Sequence, residues 1–329
     1  MMDFDTAKKT FEALFDGKMS EAEAKELLVG LYQEGESAAQ IAAAAQVMRE
    51  HAIKLPVSED LQAKLIDNCG TGGDKSNSFN VSTTVSLLLA AVGCKVAKHG
   101  NRSITSKSGS ADMLEVLDIN LSLAPKAQVT MLEEVGFTFM FAQNHHPAMK
   151  YIMPIRKSLS HRTIFNILGP LTNPAGVKKQ LIGVFSDAYI HRISSALEIL
   201  GTQNSLVVSS KDGMDEISIC DVTYATQLKE GRSEDIMIDP ATLGLHIAPK
   251  EAIVGGDAHA NAYITSGILK GDIQDVKRDI VLINAAAALM VDTKARDFQD
   301  GLEIAREVID SGRANTHLQK IIALSKQLS

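Results

Sequence analysis

Residues 67–112 read DNCGTGGDKSNSFNVSTTVSLLLAAVGCKVAKHGNRSITSKSGSAD. The stretch leaves an apolar run at Cys69, turns through Gly70-Thr71-Gly72-Gly73-Asp74, crosses a polar loop and reaches Asn80-Val81-Ser82-Thr83. A helix-length apolar segment follows, then a short run closing on Lys98-His99-Gly100-Asn101-Arg102. Glycines at 70, 72 and 73 let the backbone turn at positive φ and present consecutive N–H groups. Asn80, Ser82 and Thr83 fall where a helix should begin, so its free N–H groups and positive dipole end point back at the glycine loop. Such an arrangement suits phosphate. Lys98 and Arg102, arriving after the next expected strand, add positive charge to the same place. A lone GxGG is more often a plain turn before a capped helix. Here polar, cap-forming and cationic residues converge within one βαβ unit, which favours a site. The pattern is neither a Walker loop nor a dinucleotide fingerprint. The chemistry implies a phosphorylated ligand, with a metal as an open question.

Working outward, residues 1 to about 65 are expected to be helical throughout. Ala7, Phe11, Leu14 and Phe15 share one face. Ser20 with Glu23 and Ser37 with Gln40 are two capping-box signatures, each leading into periodic apolar residues. Three short helices make a poor core alone, so they should pack on the rest of the chain or on a second subunit. From residue 65 short apolar runs alternate with helical segments. Strands are expected at 65–68, 95–98, 137–141, 180–185, 205–209 and 216–219. Helices are expected at 83–92, 111–117, 125–135, 188–200 and 258–269, with two more, 277–290 and 295–311, finishing the chain. This alternation argues an α/β fold with a mainly parallel central sheet flanked by helices, behind a small all-helical N-terminal domain. The expected division is 1–65, joined by helices from about 150–170, and 66–329.

Composition sets limits. The 329 residues carry a formal net charge of −7, which disfavours general affinity for nucleic acid or an acidic membrane surface. There is no run of 18 apolar residues and no signal-peptide pattern at the N-terminus. Cys69, Cys94 and Cys220 are odd in number and scattered, as expected of reduced thiols in a cytoplasmic protein.

Two further stretches hold chemistry. Residues 141–176 carry His145, His146, Arg156, Lys157, His161 and Arg162 beside Gly169-Pro170. Basic groups next to a rigid turn suit a carboxylate, Arg by its fork; a solvated basic helix with a proline-bounded loop explains them equally well. Adjacent histidines rarely share a metal, so His145 and His146 are expected to be structural or hydrogen-bonding. Asp215-Glu216 follows an expected buried strand. Such a pair is usually exposed charge, but beside a phosphate site it suits Mg²⁺, which takes one or two carboxylates plus substrate oxygens.

Seven motifs occur in the order found in anthranilate phosphoribosyltransferases: Gly70-Thr-Gly-Gly-Asp74, Asn80-Val-Ser-Thr83, Lys98-His-Gly-Asn-Arg102, Gly109-Ser-Ala-Asp112, His146-Pro-Ala-Met149, the run from Arg162 to Pro174, and Asp215-Glu216. The chain resembles that family over nearly its whole length, including Arg278-Asp-Ile-Val-Leu-Ile-Asn-Ala-Ala-Ala. The resemblance implies a nucleoside phosphorylase/phosphoribosyltransferase-like fold and a homodimer formed through the helical domains. It implies transfer of phosphoribose from 5-phosphoribosyl-1-pyrophosphate (PRPP) to the amine of anthranilate, in tryptophan biosynthesis. By resemblance, Gly70, Gly73, Asp74, Asn80, Ser82, Thr83, Lys98 and Ser110 contact PRPP. Ser82, Asp215 and Glu216 serve Mg²⁺, expected as two ions. His99, Asn101, His146, Arg156, Gly169 and Pro170 line the anthranilate path, with Arg156 the carboxylate partner. No general base is nominated, because the anthranilate amine is an aniline, already neutral at pH 7. The sequence departs from the family at Lys75, commonly Gly, at Ser160-His161, and at Gln143-Asn144-His145. Two rivals share the scaffold: a relative using another acceptor or catalysing nucleoside phosphorolysis, and a nucleic-acid-binding protein. Lys98-His99-Gly100-Asn101-Arg102 with Arg156 speaks against the first, and the net negative charge against the second.

Overall fold

The computed structural model describes residues 2–102 and 107–328. Both capping boxes form at the N-terminus. Ser20 and Glu23 close the start of the helix Glu21–Glu34, and Ser37 and Gln40 that of Ala38–Glu50. With Phe4–Phe15, whose Ala7, Phe11, Leu14 and Phe15 are buried, they make the expected helical cluster. The segments Met149–Lys157 and Phe165–Leu168 return to it, placing Ile152, Ile164 and Phe165 in the same apolar cluster as Phe11 and Ile41.

Among the described residues seven strands follow in chain order: β1 Leu65–Asp67, β2 Lys95–Gly100, β3 Phe137–Phe141, β4 Lys179–Gly183, β5 Asn204–Ser210, β6 Thr223–Lys229 and β7 Arg232–Ile238. They form one sheet in the order β3-β2-β1-β4-β5-β6-β7. Pairing from β3 through β5 is parallel, and β5–β6 and β6–β7 are antiparallel. The strand period of two sends alternate residues to opposite faces. Leu181, Leu206 and Val208 enter a core with the helices Val81–Val92, Val276–Val291 and Phe298–Asp310. Ile182 and Val207 enter another with the N-terminal cluster and Ile190–Ile199. Helices thus cover both faces, as a parallel sheet requires.

Three expectations are corrected. Residues 216–219 are not a strand. Their buried backbone is hydrogen-bonded by a side chain instead: Asn284 accepts from the Ile217 N–H at 3.0 Å and donates to its carbonyl at 2.8 Å. An apolar run buried under a helix looks like a strand in sequence because both are buried. The hairpin β6–β7 was not expected; it turns at Glu230 and Gly231, both at positive φ, and β7 is largely exposed, so it lacks a strong apolar signal. A third late helix, Arg313–Gln327, packs after the expected two.

The topology decides where a ligand goes. From β1 the sheet grows through β2 to β3 on one side and through β4 to β5 on the other, so the strand order reverses between β1 and β4. In open α/β sheets the crevice beyond the carboxyl ends at such a point holds the ligand. Here those ends are Asp67, Gly100 and Gly183.

Candidate active site

The glycine loop leaves β1 at this crevice. Gly72 and Gly73 hold positive φ, as do Lys75 and Asn77 beyond them, so the loop keeps a left-handed residue at position 75 without glycine. The helix Val81–Val92 starts where expected, with Asn80 at its N-cap, but the Asn80 side chain caps nothing. It donates to the Ser108 carbonyl at 3.3 Å and accepts from Asn261 at 2.9 Å. The cap expected of Asn80 is therefore corrected: its amide serves as a strut, while the Val81 N–H goes to the Phe79 carbonyl at 2.7 Å and the Ser82 N–H is turned to the Glu216 carboxylate. Thr83 donates to the Ser110 hydroxyl at 2.9 Å, which brings the helix Ser110–Val116 to the same edge.

Lys98 is 1% exposed, and its Nζ donates to the Asn68 carbonyl at 2.8 Å. Asn68, which no motif singled out, also donates to the Ser82 carbonyl at 2.7 Å and accepts from Ser86 at 2.6 Å. Asn68 thus ties β1, the helix start and the site lysine together, the lysine through its backbone carbonyl and the helix through its side-chain amide. Arg102 does not join them. Its guanidinium pairs with Asp112 and Glu115 and lies over Phe141, so its expected contribution to the phosphate charge is corrected.

Asp215 and Glu216 arrive from the loop after β5. This loop lies directly on β4: a Cβ added to Gly183 would sit 1.5 Å from the Asp215 carbonyl oxygen, and one on Gly70 would sit 2.4 Å from its carboxylate. Only glycine fits either place. The Gly72 N–H donates to Asp215 Oδ2 at 2.6 Å, and the Asp215 N–H reaches Asp74 at 3.4 Å. Asn68, Gly70, Ser82, Gly183, Asp215, Glu216 and Asn284 line one small pocket. Burial, with the Asp74 charge added, pushes the Asp215 carboxyl up to about 7. Burial, then Asp215 and Asp74, holds Glu216 well above the ordinary range against the pull of Lys98. Glu216 Oε2 is buried with no hydrogen-bond partner among the described residues. Three clustered carboxyls, Asp74, Asp215 and Glu216, against the one Lys98 ammonium, with an oxygen unpartnered among the described residues, fit a hard divalent ion. The oxygen donors of Asp215, Glu216 and Ser82 suit Mg²⁺. No three His, Cys, Asp or Glu side chains among the described residues are placed to enclose a metal by themselves, so the ion needs ligand oxygens as well.

The other half of the site is built around His99. The chain turns from Leu168 into the 3₁₀ segment Gly169–Thr172. The Gly169 carbonyl can only accept, so His99 Nδ1, 3.0 Å away, carries a proton and donates to it. His99 Nε2 faces His146 Nε2 at 3.2 Å. Burial pulls His99 down to about 3 and His146 down to about 4, so both are neutral near pH 7. His145 bonds the Ile53 carbonyl at 2.7 Å. The expectation that these histidines are structural or hydrogen-bonding therefore holds. Asp67, also missed in the sequence, is fully buried and pushed up to about 6 by burial. It accepts from Asn173 at 2.8 Å, and Asn173 also holds the Ala97 carbonyl at 2.9 Å. Arg156 is less committed. Its guanidinium lies over the Phe165 ring, 5.6 Å from the centroid, and donates weakly to Met153 Sδ at 3.8 Å. Asn101 is exposed, and Gly169 and Pro170 lie in the turn that His99 holds. Arg162 joins the two halves: it donates to the Gly73 carbonyl and stacks on Phe185 at 3.6 Å.

A helix start, a cation-seeking acid cluster and the hydrogen-bonded His99–His146 pair, brought to one switch point, suit a transferase acting on a phosphorylated donor. The sequence matches the glycosyl transferase family in two parts, the helical bundle domain over residues 2–52 and the a/b domain over residues 62–315. An anthranilate phosphoribosyltransferase of Methanobrevibacter smithii is 43% identical over 319 residues, 96% of this chain and 94% of that protein. One of Alkaliphilus metalliredigens is 44% identical, covering 96% and 92%. The crystal structure of anthranilate phosphoribosyltransferase from Thermus thermophilus superposes with a TM-score of 0.93 at 38% identity, over 99% of this chain and 96% of that one. The Saccharomyces cerevisiae enzyme in complex with PRPP and Mg shares the fold, with a TM-score of 0.85 at 24% identity, over 96% and 91%. The chain belongs to the anthranilate phosphoribosyltransferase family.

Proposed function

We propose that this protein transfers phosphoribose from PRPP to the amine of anthranilate, releasing pyrophosphate, in tryptophan biosynthesis. One observation carries the proposal: a chain similar end to end to anthranilate phosphoribosyltransferases keeps an acid cluster facing a helix N-terminus at the sheet's switch point. In this reading Gly70, Gly73, Asp74, Asn80, Ser82, Thr83, Lys98 and Ser110 hold PRPP. Asp215, Glu216 and Ser82 hold Mg²⁺, as two ions. His99, Asn101, His146, Arg156, Gly169 and Pro170 line the path of anthranilate.

The geometry suits the reaction. The bond from ribose C1 to pyrophosphate breaks with both electrons leaving on pyrophosphate, and a new bond forms from C1 to the anthranilate nitrogen. Bound Mg²⁺ supplies neutralisation of the charge gathering on the leaving group. The positive dipole end of Val81–Val92 and the Lys98 ammonium lie on the side of the same charge. The neutral aniline attacks with its own lone pair, so no base is needed to free it. Its extra proton is lost after the bond has formed. Neutral His99 and His146 add no competing positive charge near the amine, which leaves the carboxylate to Arg156. Positioning is then the main contribution of the protein.

Further proposals accompany this one. Residues 1–65, with the helices from about 150–170, form a helical domain, and residues 66–329 form the α/β domain. The protein is a cytoplasmic homodimer paired through its helical domains, a reading supported by the short helices' need for a larger core; the groove on that cluster is lined by Met2, Leu27, Gly30 and Leu31 beside Glu23, Glu26 and Glu34. No helix among the described residues is long and apolar enough to cross a membrane, and the net charge of −7 gives no support to a nucleic-acid partner. The direct test is the loss of anthranilate fluorescence with PRPP and Mg²⁺, using other aromatic amines as controls. Turnover of another amine with no turnover of anthranilate would overturn the acceptor assignment.

A further inference from the structure

The turn Gly169–Thr172 is held partly by its own Thr172 and partly by three side chains from elsewhere in the chain. Pro170 brings no N–H, and four successive carbonyls are each taken by a side chain. Leu168 accepts from Thr172 Oγ1 at 3.1 Å, and Gly169 from Thr172 Oγ1 at 3.2 Å and His99 Nδ1 at 3.0 Å. Pro170 accepts from Gln180 Nε2 at 2.6 Å, and Leu171 from Arg49 Nε at 2.6 Å. His99 belongs to β2 and Gln180 to β4, so sheet and turn move together. Arg49 comes from the last turn of Ala38–Glu50, in the part of the chain that matches the helical bundle domain.

Arginine is a costly residue for that place. Its side chain is half-buried with no carboxylate beside it among the described residues, and burial pulls the guanidinium down to about 10. A single carbonyl offsets that loss only in part. The helix carboxyl end favours a cation there, but an apolar side chain would pack the same seam without the desolvation. Arg49 supplies something packing does not, a directed N–H on one carbonyl of the turn that also orients His99.

We propose that Arg49 is a positioning residue for the acceptor. It fixes the Gly169–Thr172 turn, and through the Gly169 carbonyl the His99 ring, so the helical segment sets acceptor affinity without touching the acceptor. The inference rests on the proposed assignment of His99, Gly169 and Pro170 to the anthranilate path.

The test compares Arg49→Met and Arg49→Lys with the wild type in the full-length enzyme with Mg²⁺, measuring KM for each substrate, kcat and Tm. Arg49→Met keeps an apolar stem and removes the donor. KM for anthranilate should rise about five- to tenfold, the size of one ordinary hydrogen bond lost through an intermediary turn. KM for PRPP should stay within about twofold, and Tm should hold or rise. Arg49→Lys keeps a cation and one donor and should recover part of the loss; it carries the same comparison if the Met variant folds poorly. An unchanged anthranilate KM in both variants overturns the inference. So does a parallel rise in both KM values with a lower Tm, which marks a purely structural residue. If the wild type itself consumes no anthranilate with PRPP, the acceptor assignment fails first and takes the inference with it.

Discussion

Replacing Asp215 with Asn should make the metal-free protein more stable at pH 8 while removing its response to Mg²⁺. Burial and Asp74 raise the Asp215 carboxyl from 3.8 to about 7. Between those values the folded protein binds more protons than the unfolded chain, so this group's contribution to stability is present below pH 3.8 and is lost as pH rises towards 7. About three units correspond to at most about 4 kcal/mol at pH 8, by roughly 1.4 kcal/mol per unit. Coupling to Asp74 and Glu216 spreads that penalty over the cluster, so about 2 kcal/mol is the working figure for one site. Asn removes the charge, keeps an oxygen to accept from the Gly72 N–H and preserves the volume. At roughly 2 °C per kcal/mol for a chain of this size, the variant should melt about 4 °C higher than the wild type at pH 8 without divalent cations. The two should converge near pH 4. Adding Mg²⁺ with pyrophosphate should raise the wild-type Tm and leave the variant little changed. Scanning calorimetry across pH 4–8, with and without the ion, reads all of this. A variant that is less stable at pH 8 than at pH 4 relative to wild type would show that the carboxylate is already neutralised and that the cluster seeks no cation.

Four other outcomes follow from the same geometry. Arg156→Ala should raise KM for anthranilate about tenfold or more, from a charge-assisted pair worth roughly 1.5–3 kcal/mol, with PRPP affinity little changed; equal loss of both would place the carboxylate elsewhere. Gly183→Ala forces the Asp215 loop off β4, since its Cβ would meet the Asp215 carbonyl at 1.5 Å; turnover should fall about 100-fold or more, and normal kinetics would mean the loop is free to move. His99 and His146 have folded pKa values of about 3 and 4, so the stability they contribute is present above pH 6.5 and should decline as pH falls from there towards 4; His99→Gln should flatten that decline in a melting series, and an unchanged slope would assign it to other groups. Light scattering at micromolar concentration should give a homodimer, and a monomer would refute the proposed pairing through the helical segment without touching the chemistry.

Local signals carried much of the molecule. Ser20-Glu23 and Ser37-Gln40 announced two helix starts because a capping box is complete within four residues. Residues 137–141 and 125–135 were bounded to the residue, since each has its period and its turn glycine within reach. The glycine loop and the helix after it were legible for the same reason: loop, start and apolar run are adjacent in sequence. What the sequence alone could not settle is how distant segments meet. Asp215 lies on Gly183 and Gly70 because three strand ends converge there, and no spacing encodes that contact. Residues 216–219 looked like a strand because burial gives the same apolar run whether a ladder or the amide of Asn284 takes the backbone. Arg102 looked like a phosphate cation until Asp112 and Glu115 closed on it. Asn68, Asp67 and Arg49 carried no motif at all; each matters through a partner, and only folding brings the partners together. The residue types named the chemistry, and the tertiary structure decided which charges are paired, which are buried, and which remain for a ligand.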